Sequence, residues 1–139
     1  MREHSVVTAF LRHEGEILLV RRSQDVGTYK GRWSAISGYL EHAPLEQAHI
    51  EIVEETGLSK DDVELVSVGK ALYVSDEKQG IRWTIYPFLF DIKQPERIRL
   101  DWENQEMRWV LPDEIDQYPT VPALAQTLAA CLDVTPYHE

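Results

Sequence analysis

The stretch IEIVEETGL, residues 50–58, packs Glu51, Glu54 and Glu55 into five positions. At helical spacing they stand at i, i+3 and i+4, so their carboxylates share one face and repel one another unless a positive charge lies between them. Solvated acidic faces are the commonest form of such a pattern. Here, however, the group follows a glycine-bearing loop, starts behind Pro44 and stops at Gly57, which is more specific than a run of charge. The whole chain leans the same way, with 24 acidic against 14 basic residues and a formal charge of −10. That balance argues against an extended nucleic-acid surface. It leaves room for a small phosphorylated ligand, because a divalent cation can bridge protein carboxylates and phosphate oxygens.

Arg22, Lys30 and Arg32 are the candidate phosphate contacts: Arg22 ends an apolar run, and the other two flank Gly31. Tyr29, Trp33, Tyr39, Tyr73 and Trp83 offer rings on which a base could stack, although aromatic residues at strand positions more often fill a core. His42 is read as a cap or solvent-facing residue and His49 as facing the apolar side, so neither is taken as a ligand.

The elements that must position these residues follow from pattern. VVTAFLRHEGEILLVRR reads as a hairpin, Val6 to Arg12 and Ile17 to Arg22, turning at Glu14 and Gly15. SQDVGTYKGRWSAISGYLE carries Gly27, Gly31 and Gly38 without a sustained period and reads as a functional loop. Pro44 suits a first helical turn and Gly57 a C-terminal cap, with Leu45, Ala48, His49, Ile52 and Val53 as the expected core face. DVELVSVGKALYVSD, GIRWTIYPFLFDI and MRWVLPDEI read as strands, and VPALAQTLAACL as the last helix. The derived class is a mixed α+β or an α/β sandwich.

At 139 residues and 43% hydrophobic composition, the chain fits one domain, residues 1–139, with a core that needs no disulfide. Cys131 is the single cysteine, which fits a reducing compartment. No apolar run approaches the roughly 20 residues of a membrane span. A cytoplasmic protein with no membrane partner is therefore expected.

ISGYLE and IEIVEETGL together resemble the signature of the Nudix hydrolase family: glycine, five residues, glutamate, seven residues, then Arg-Glu-hydrophobic-x-Glu-Glu-x-Gly-hydrophobic. The second half matches from Glu51 through Leu58, with Ile50 at the arginine. In the first half Ile36 and Ser37 stand on the first two positions of the family's Pro-Gly-Gly-x-x-Glu, Gly38 on its second glycine and Glu41 on its acid. Only HAPLEQAHI then separates Glu41 from Glu51, shorter than the family pattern, and the glutamate that usually opens the helix is absent. Glu46 stands in another register. The resemblance extends to the opening strands ending in Arg21-Arg22 and to the late ENQEMRWV and LPDEI.

The resemblance implies an α/β/α sandwich with a mixed curved β-sheet between helices. It implies Glu51, Glu54 and Glu55 as catalytic ligands of Mg2+, with Mn2+ as an alternative, and Glu103 as a further metal-binding or general-base glutamate, with Glu106 as its rival. Gly38 joins Arg22, Lys30 and Arg32 as a substrate-binding residue. The implied activity is hydrolysis of a phosphoanhydride in a nucleoside diphosphate linked to another group, with nucleoside triphosphates and nucleotide sugars as the leading classes. Dimers occur among members of the family. Ile50 cannot supply the charged hydrogen bond of the family's arginine, so either another cation, such as Arg32 or Arg82, reaches Glu51 or metal affinity and turnover are lower than in typical members. The same departures also fit a nucleotide-binding or regulatory module without turnover. The isomerase branch of the fold, acting on isopentenyl diphosphate, is disfavoured because it resembles a site with a loop cysteine, whereas Cys131 lies in the last helical segment.

Overall fold

The computed structural model describes residues 1–134. Its elements in chain order are β1 (Arg2–His13), β2 (Glu16–Arg22), β3 (Trp33–Ser34), β4 (Ile36–Tyr39), α1 (Pro44–Thr56), β5 (Val63–Val68), β6 (Leu72–Asp76), β7 (Ile81–Ile92), β8 (Asn104–Val110) and α2 (Leu124–Leu132). Short 3-10 turns at Lys60–Asp62, Pro95–Arg97 and Pro112–Gln117 connect them. No helix among the described residues is long and apolar enough to cross a membrane.

The centre of the sheet is β1, whose residues Val7, Thr8, Ala9, Phe10 and Leu11 are all buried, as a strand covered on both faces must be. It runs parallel to β7 from Arg2↔Ile81 to Arg12↔Asp91, and antiparallel to β4 from Val6↔Tyr39 to Ala9↔Ile36. Successive β1 side chains feed opposite layers. Val7, Ala9 and Leu11 pack with Ala48 and Ile52 of α1, while Phe10 packs with Leu124, Leu128 and Cys131 of α2. The sheet is therefore mixed and sandwiched between the two helices, as expected.

The expected hairpin is one only at its turn. β1 and β2 pair at Arg12↔Ile17 and His13↔Glu16, where Glu14 and Gly15 take positive φ, and then part company. Beyond that point β1 pairs with β4 and β7, while β2 pairs with β8 from Ile17↔Val110 to Arg22↔Asn104. The expected loop likewise contains β3 and β4, strands too short to show a period and held by pairing to β2 and β1. The segment read as a strand through residues 62–76 breaks at Gly69 into β5 and β6, both laid on β7. Pro87 sits where β7 changes partner from β6 to β5; it has no N–H to offer, and its carbonyl accepts the Gly69 N–H at 3.0 Å.

Helix α1 starts on Pro44 and ends at Gly57, which takes the left-handed conformation (φ 76°) and donates its N–H to the Val53 carbonyl at 2.9 Å. Its buried face differs from the expected one: Leu45 and Val53 are 39% and 49% exposed, while Gln47, Glu51 and Glu55 are buried beside Ala48 and Ile52. The helix is turned so that carboxylates, rather than a purely apolar stripe, meet β4. Helix α2 begins at Leu124, later than expected, because Pro122 disfavours helical dihedrals at Val121 and Ala123 is left-handed (φ 62°).

A Cβ on Gly69 would lie 2.9 Å from the backbone of Ala130 and from Pro87 Cγ. Gly69→Ala is therefore expected to push α2 off the sheet and cost about 1–3 kcal/mol in urea unfolding.

Candidate active site

The carboxylates of Glu51 and Glu55 lie one helical turn apart on the buried face of α1, and the turn before β8 delivers Glu103 to them. One oxygen from each of these three residues lies within 4.8 Å of the others. Three elements distant in sequence hold the cluster. Gln47 Nε2 donates to Glu51 Oε2 at 2.8 Å, Asn104 Nδ2 donates to Glu55 Oε1 at 2.9 Å, and the Ser37 N–H donates to Glu55 Oε2 at 3.3 Å. Gly38 on β4 lies so close to the Glu51 carboxylate that any side chain there would overlap it. The turn carrying Glu103 is tied down by the Ser23 N–H, which donates to its carbonyl at 2.7 Å, and by the Glu103 N–H on Asp101 Oδ1 at 3.0 Å.

Burial of like charges dominates the electrostatics. Loss of water pushes the Glu51 carboxyl up to about 7; the Gln47 hydrogen bond opposes this, and repulsion from Glu54, Glu103 and Glu41 adds to it. Glu55 is raised well above the usual carboxylate range by burial, against the Asn104 hydrogen bond and with repulsion from Glu103, Glu51 and Asp101. Glu103 is raised by burial and by Asp101, and held back by Arg22. Among the described residues no salt bridge reaches Glu51, Glu55 or Glu103.

Arg22, at the end of β2, is the cation nearest in effect. Its guanidinium donates to the Thr28 carbonyl at 2.9 Å; burial lowers its pKa, and Glu55 and Glu103 raise it. Arg22, Gly38 and Glu103 also line a cleft of about 150 Å³ on the opposite, α2-side face of β1, together with Tyr29, Tyr39 and Trp83. The Tyr29 hydroxyl donates to Asp76 Oδ2 at 2.7 Å and accepts from Trp83 Nε1 at 3.0 Å, which ties the loop before β3 to β6 and β7.

The other residues singled out in the sequence fall elsewhere. Glu54 is exposed and outside the three-oxygen cluster, although its charge acts on Glu51 and Glu103. Lys30 and Arg32 are exposed and do not line the cleft. Neither cation expected near Glu51 bonds to it: Arg32 points to solvent, and Arg82 lies 3.6 Å from Glu3. Glu106 pairs with Arg21 at 2.7 Å across β2 and β8. Trp33 is a core residue against Tyr118, and Tyr73 is 77% exposed. His49 packs edge-on against Phe90. Gln47 and Asn104 had no role in the sequence reading. The spacing of Gln47 four residues before Glu51 was a usable signal, whereas the link from Asn104 to Glu55 spans 49 positions.

Three carboxylates gathered with no salt bridge to them among the described residues, two of them buried, form an all-oxygen donor set of the kind that hard divalent cations take. A divalent ion there would offset the repulsion that burial imposes.

Comparison with known proteins places the chain in a family. The family model described as the NUDIX domain matches residues 1–131. A nucleoside triphosphatase, NudI, of Escherichia fergusonii is 30% identical, covering 93% of this chain and 96% of that protein. NudI of an Escherichia coli strain is 27% identical over 92% of this chain and 96% of its own. Among solved structures, a NUDIX hydrolase from Nitrosomonas europaea superposes with a TM-score of 0.74 at 20% identity, covering 99% of this chain and 98% of the other.

The raised carboxyls fix the sign of a pH dependence. The folded state binds protons more tightly than the unfolded chain, so their contribution to stability is complete below the usual carboxylate pKa of 4.5 and is lost as pH rises through about 7 for Glu51. With chelator present, stability to urea is expected to fall across that interval. Glu55→Gln, or Mg2+ added to the unaltered protein, is expected to raise stability to urea at pH above 7.

Proposed function

The chain belongs to the Nudix family, and on that premise we propose that it hydrolyses a phosphoanhydride bond of a nucleoside triphosphate with a divalent cation, Mg2+ foremost and Mn2+ as an alternative. The observation that carries the reading is the shared edge of cluster and cleft, where Glu103 and Gly38 on one side meet Arg22 on the other. Arg22 and Glu103 are the charged residues of the cleft lining; the rest are rings, aliphatic side chains and hydroxyls such as Thr8 and Ser34. Such a lining suits the uncharged nucleoside half of a substrate, with its phosphates at the charged end. The name of the NudI relatives supports triphosphates ahead of nucleotide sugars.

Glu51, Glu55 and Glu103 would hold the cation, with exposed Glu54 at the rim. When bound, the ion supplies charge neutralisation on the phosphate oxygens and lowers the pKa of water. Arg22, whose guanidinium is held by Thr28, would donate to a phosphate oxygen, whereas exposed Lys30 and Arg32, outside the cleft lining, would add positive charge only from a distance. In the reaction a water oxygen bonds to phosphorus, and the phosphoanhydride P–O bond breaks. The bridging oxygen leaves with the departing phosphate or nucleotide. A carboxylate free of the cation accepts the water proton; Glu54, outside the three-oxygen cluster, would take that role. Products are a nucleoside monophosphate and pyrophosphate, or a diphosphate and phosphate. A single domain acting in the cytoplasm completes the proposal.

Turnover of a panel of nucleoside triphosphates, nucleotide sugars and dinucleoside polyphosphates, with products identified by mass spectrometry, tests this. Cleavage is expected with Mg2+ or Mn2+ and none with chelator. Glu55→Gln and Glu103→Gln should each lower kcat/KM by about a hundredfold or more. Arg22→Ala should cost roughly tenfold or more, and Glu106→Gln should leave turnover unchanged. Ligand-induced thermal stabilisation without any cleavage would identify a binding module instead.

A further inference from the structure

Gln47 is 2% exposed and makes three hydrogen bonds. Its Oε1 accepts the backbone N–H groups of Glu41 and His42, both at 3.0 Å. Two N–H donors can be met only by the amide oxygen, so the chemistry of these partners fixes which way the amide faces. The NH2 group must then point at Glu51, where it donates to Oε2 at 2.8 Å. On the other side the Glu51 carboxylate is walled by Gly38, where no Cβ fits. Glu51 is thus held between a fixed donor and a backbone wall, with a carboxylate oxygen within 4.8 Å of those of Glu55 and Glu103.

We infer that Gln47 is the positioning residue that orients the Glu51 carboxylate toward the cation site, a neutral clamp where no cationic side chain among the described residues bonds to Glu51. Unlike an arginine, a neutral donor fixes the carboxylate without placing a positive charge beside it, so that charge is left to a divalent ion. The same side chain pins the short segment between β4 and α1, so loop and ligand are set by one amide. The inference rests on the divalent-cation reading of the cluster.

Mn2+ titration followed by electron paramagnetic resonance, in the absence of substrate, tests it with the full chain. Gln47→Met, close in size but without an amide, is expected to weaken Mn2+ binding by about tenfold or more. In a double-mutant cycle that loss should disappear in the Glu51→Gln background, because the residue acts through Glu51. An equal loss in both backgrounds, or wild-type affinity in Gln47→Met, would overturn the inference. A second measurement needs no variant: by NMR the Gln47 side-chain NH2 of the wild type should be protected from hydrogen exchange and shift when Mg2+ is added. Exchange at the rate of an exposed glutamine would also overturn it. If the wild type binds no Mn2+ at all, the cation reading itself falls, which distinguishes the two failures.

Discussion

The arrangement around α1 depends on one constraint: Glu51 and Glu55 are buried side by side with Glu103 against them, and like charges in a poorly hydrated site are unstable unless something offsets them. The fold meets this constraint with neutral donors. Gln47, Asn104 and the Ser37 backbone each hold one carboxylate oxygen, and they come from the helix itself, from the start of β8 and from β4. The helix is rotated accordingly, leaving Leu45 and Val53 exposed so that the acids can face the sheet. What a surface helix ordinarily gives up to solvent is kept inside, and what it ordinarily hides is left out.

The sheet supplies the room. Because β1 and β2 pair only beside their turn, β4 can enter along β1 and bring Ser37 and Gly38 under the acidic face of α1. The partner of β2 along most of its length is β8, whose leading turn carries Glu103 and whose first residue is Asn104. Arg22 lies at the end of β2, so its charge, the carboxylates and the cleft meet at one edge of the sheet. Aromatic residues close the far side, with Tyr29 bonded to both Asp76 and Trp83 and Tyr39 stacked against Trp83. Binding surface and charged cluster are therefore two faces of the same strand arrangement. The proposed hydrolysis needs both, because a phosphate chain must reach the cation while its nucleoside stays in the cleft.

The missing box arginine shows how a local rule can fail while its purpose survives. Isoleucine at position 50 cannot hold a carboxylate, and neither Arg32 nor Arg82 takes over. The replacement is Gln47, four residues before Glu51 on the same helix, and its oxygen is engaged by the segment that is short relative to the family pattern. Opposite charge is the obvious partner of an acid. The structure answers with a neutral group: Gln47 Nε2 donates to Glu51 Oε2 and adds no positive charge beside it.

By itself the sequence determined the features written in local chemistry. Pro44 and Gly57 bound a helix, Glu51, Glu54 and Glu55 recur at helical spacing, apolar runs mark most strands, and the resemblance of these residues to a known signature names the family. Only the tertiary structure decided which acids converge. It separates Glu54 at the surface from Glu51 and Glu55 inside, brings Glu103 in while pairing Glu106 with Arg21, and leaves Lys30 and Arg32 outside the cleft. Asn104 and Glu55, 49 positions apart, could be joined by no periodicity. The physical reason is range. Capping, turn and periodicity preferences act over a few residues along the chain, whereas the burial of a charge and the donor that stabilises it are properties of neighbours assembled through the sheet.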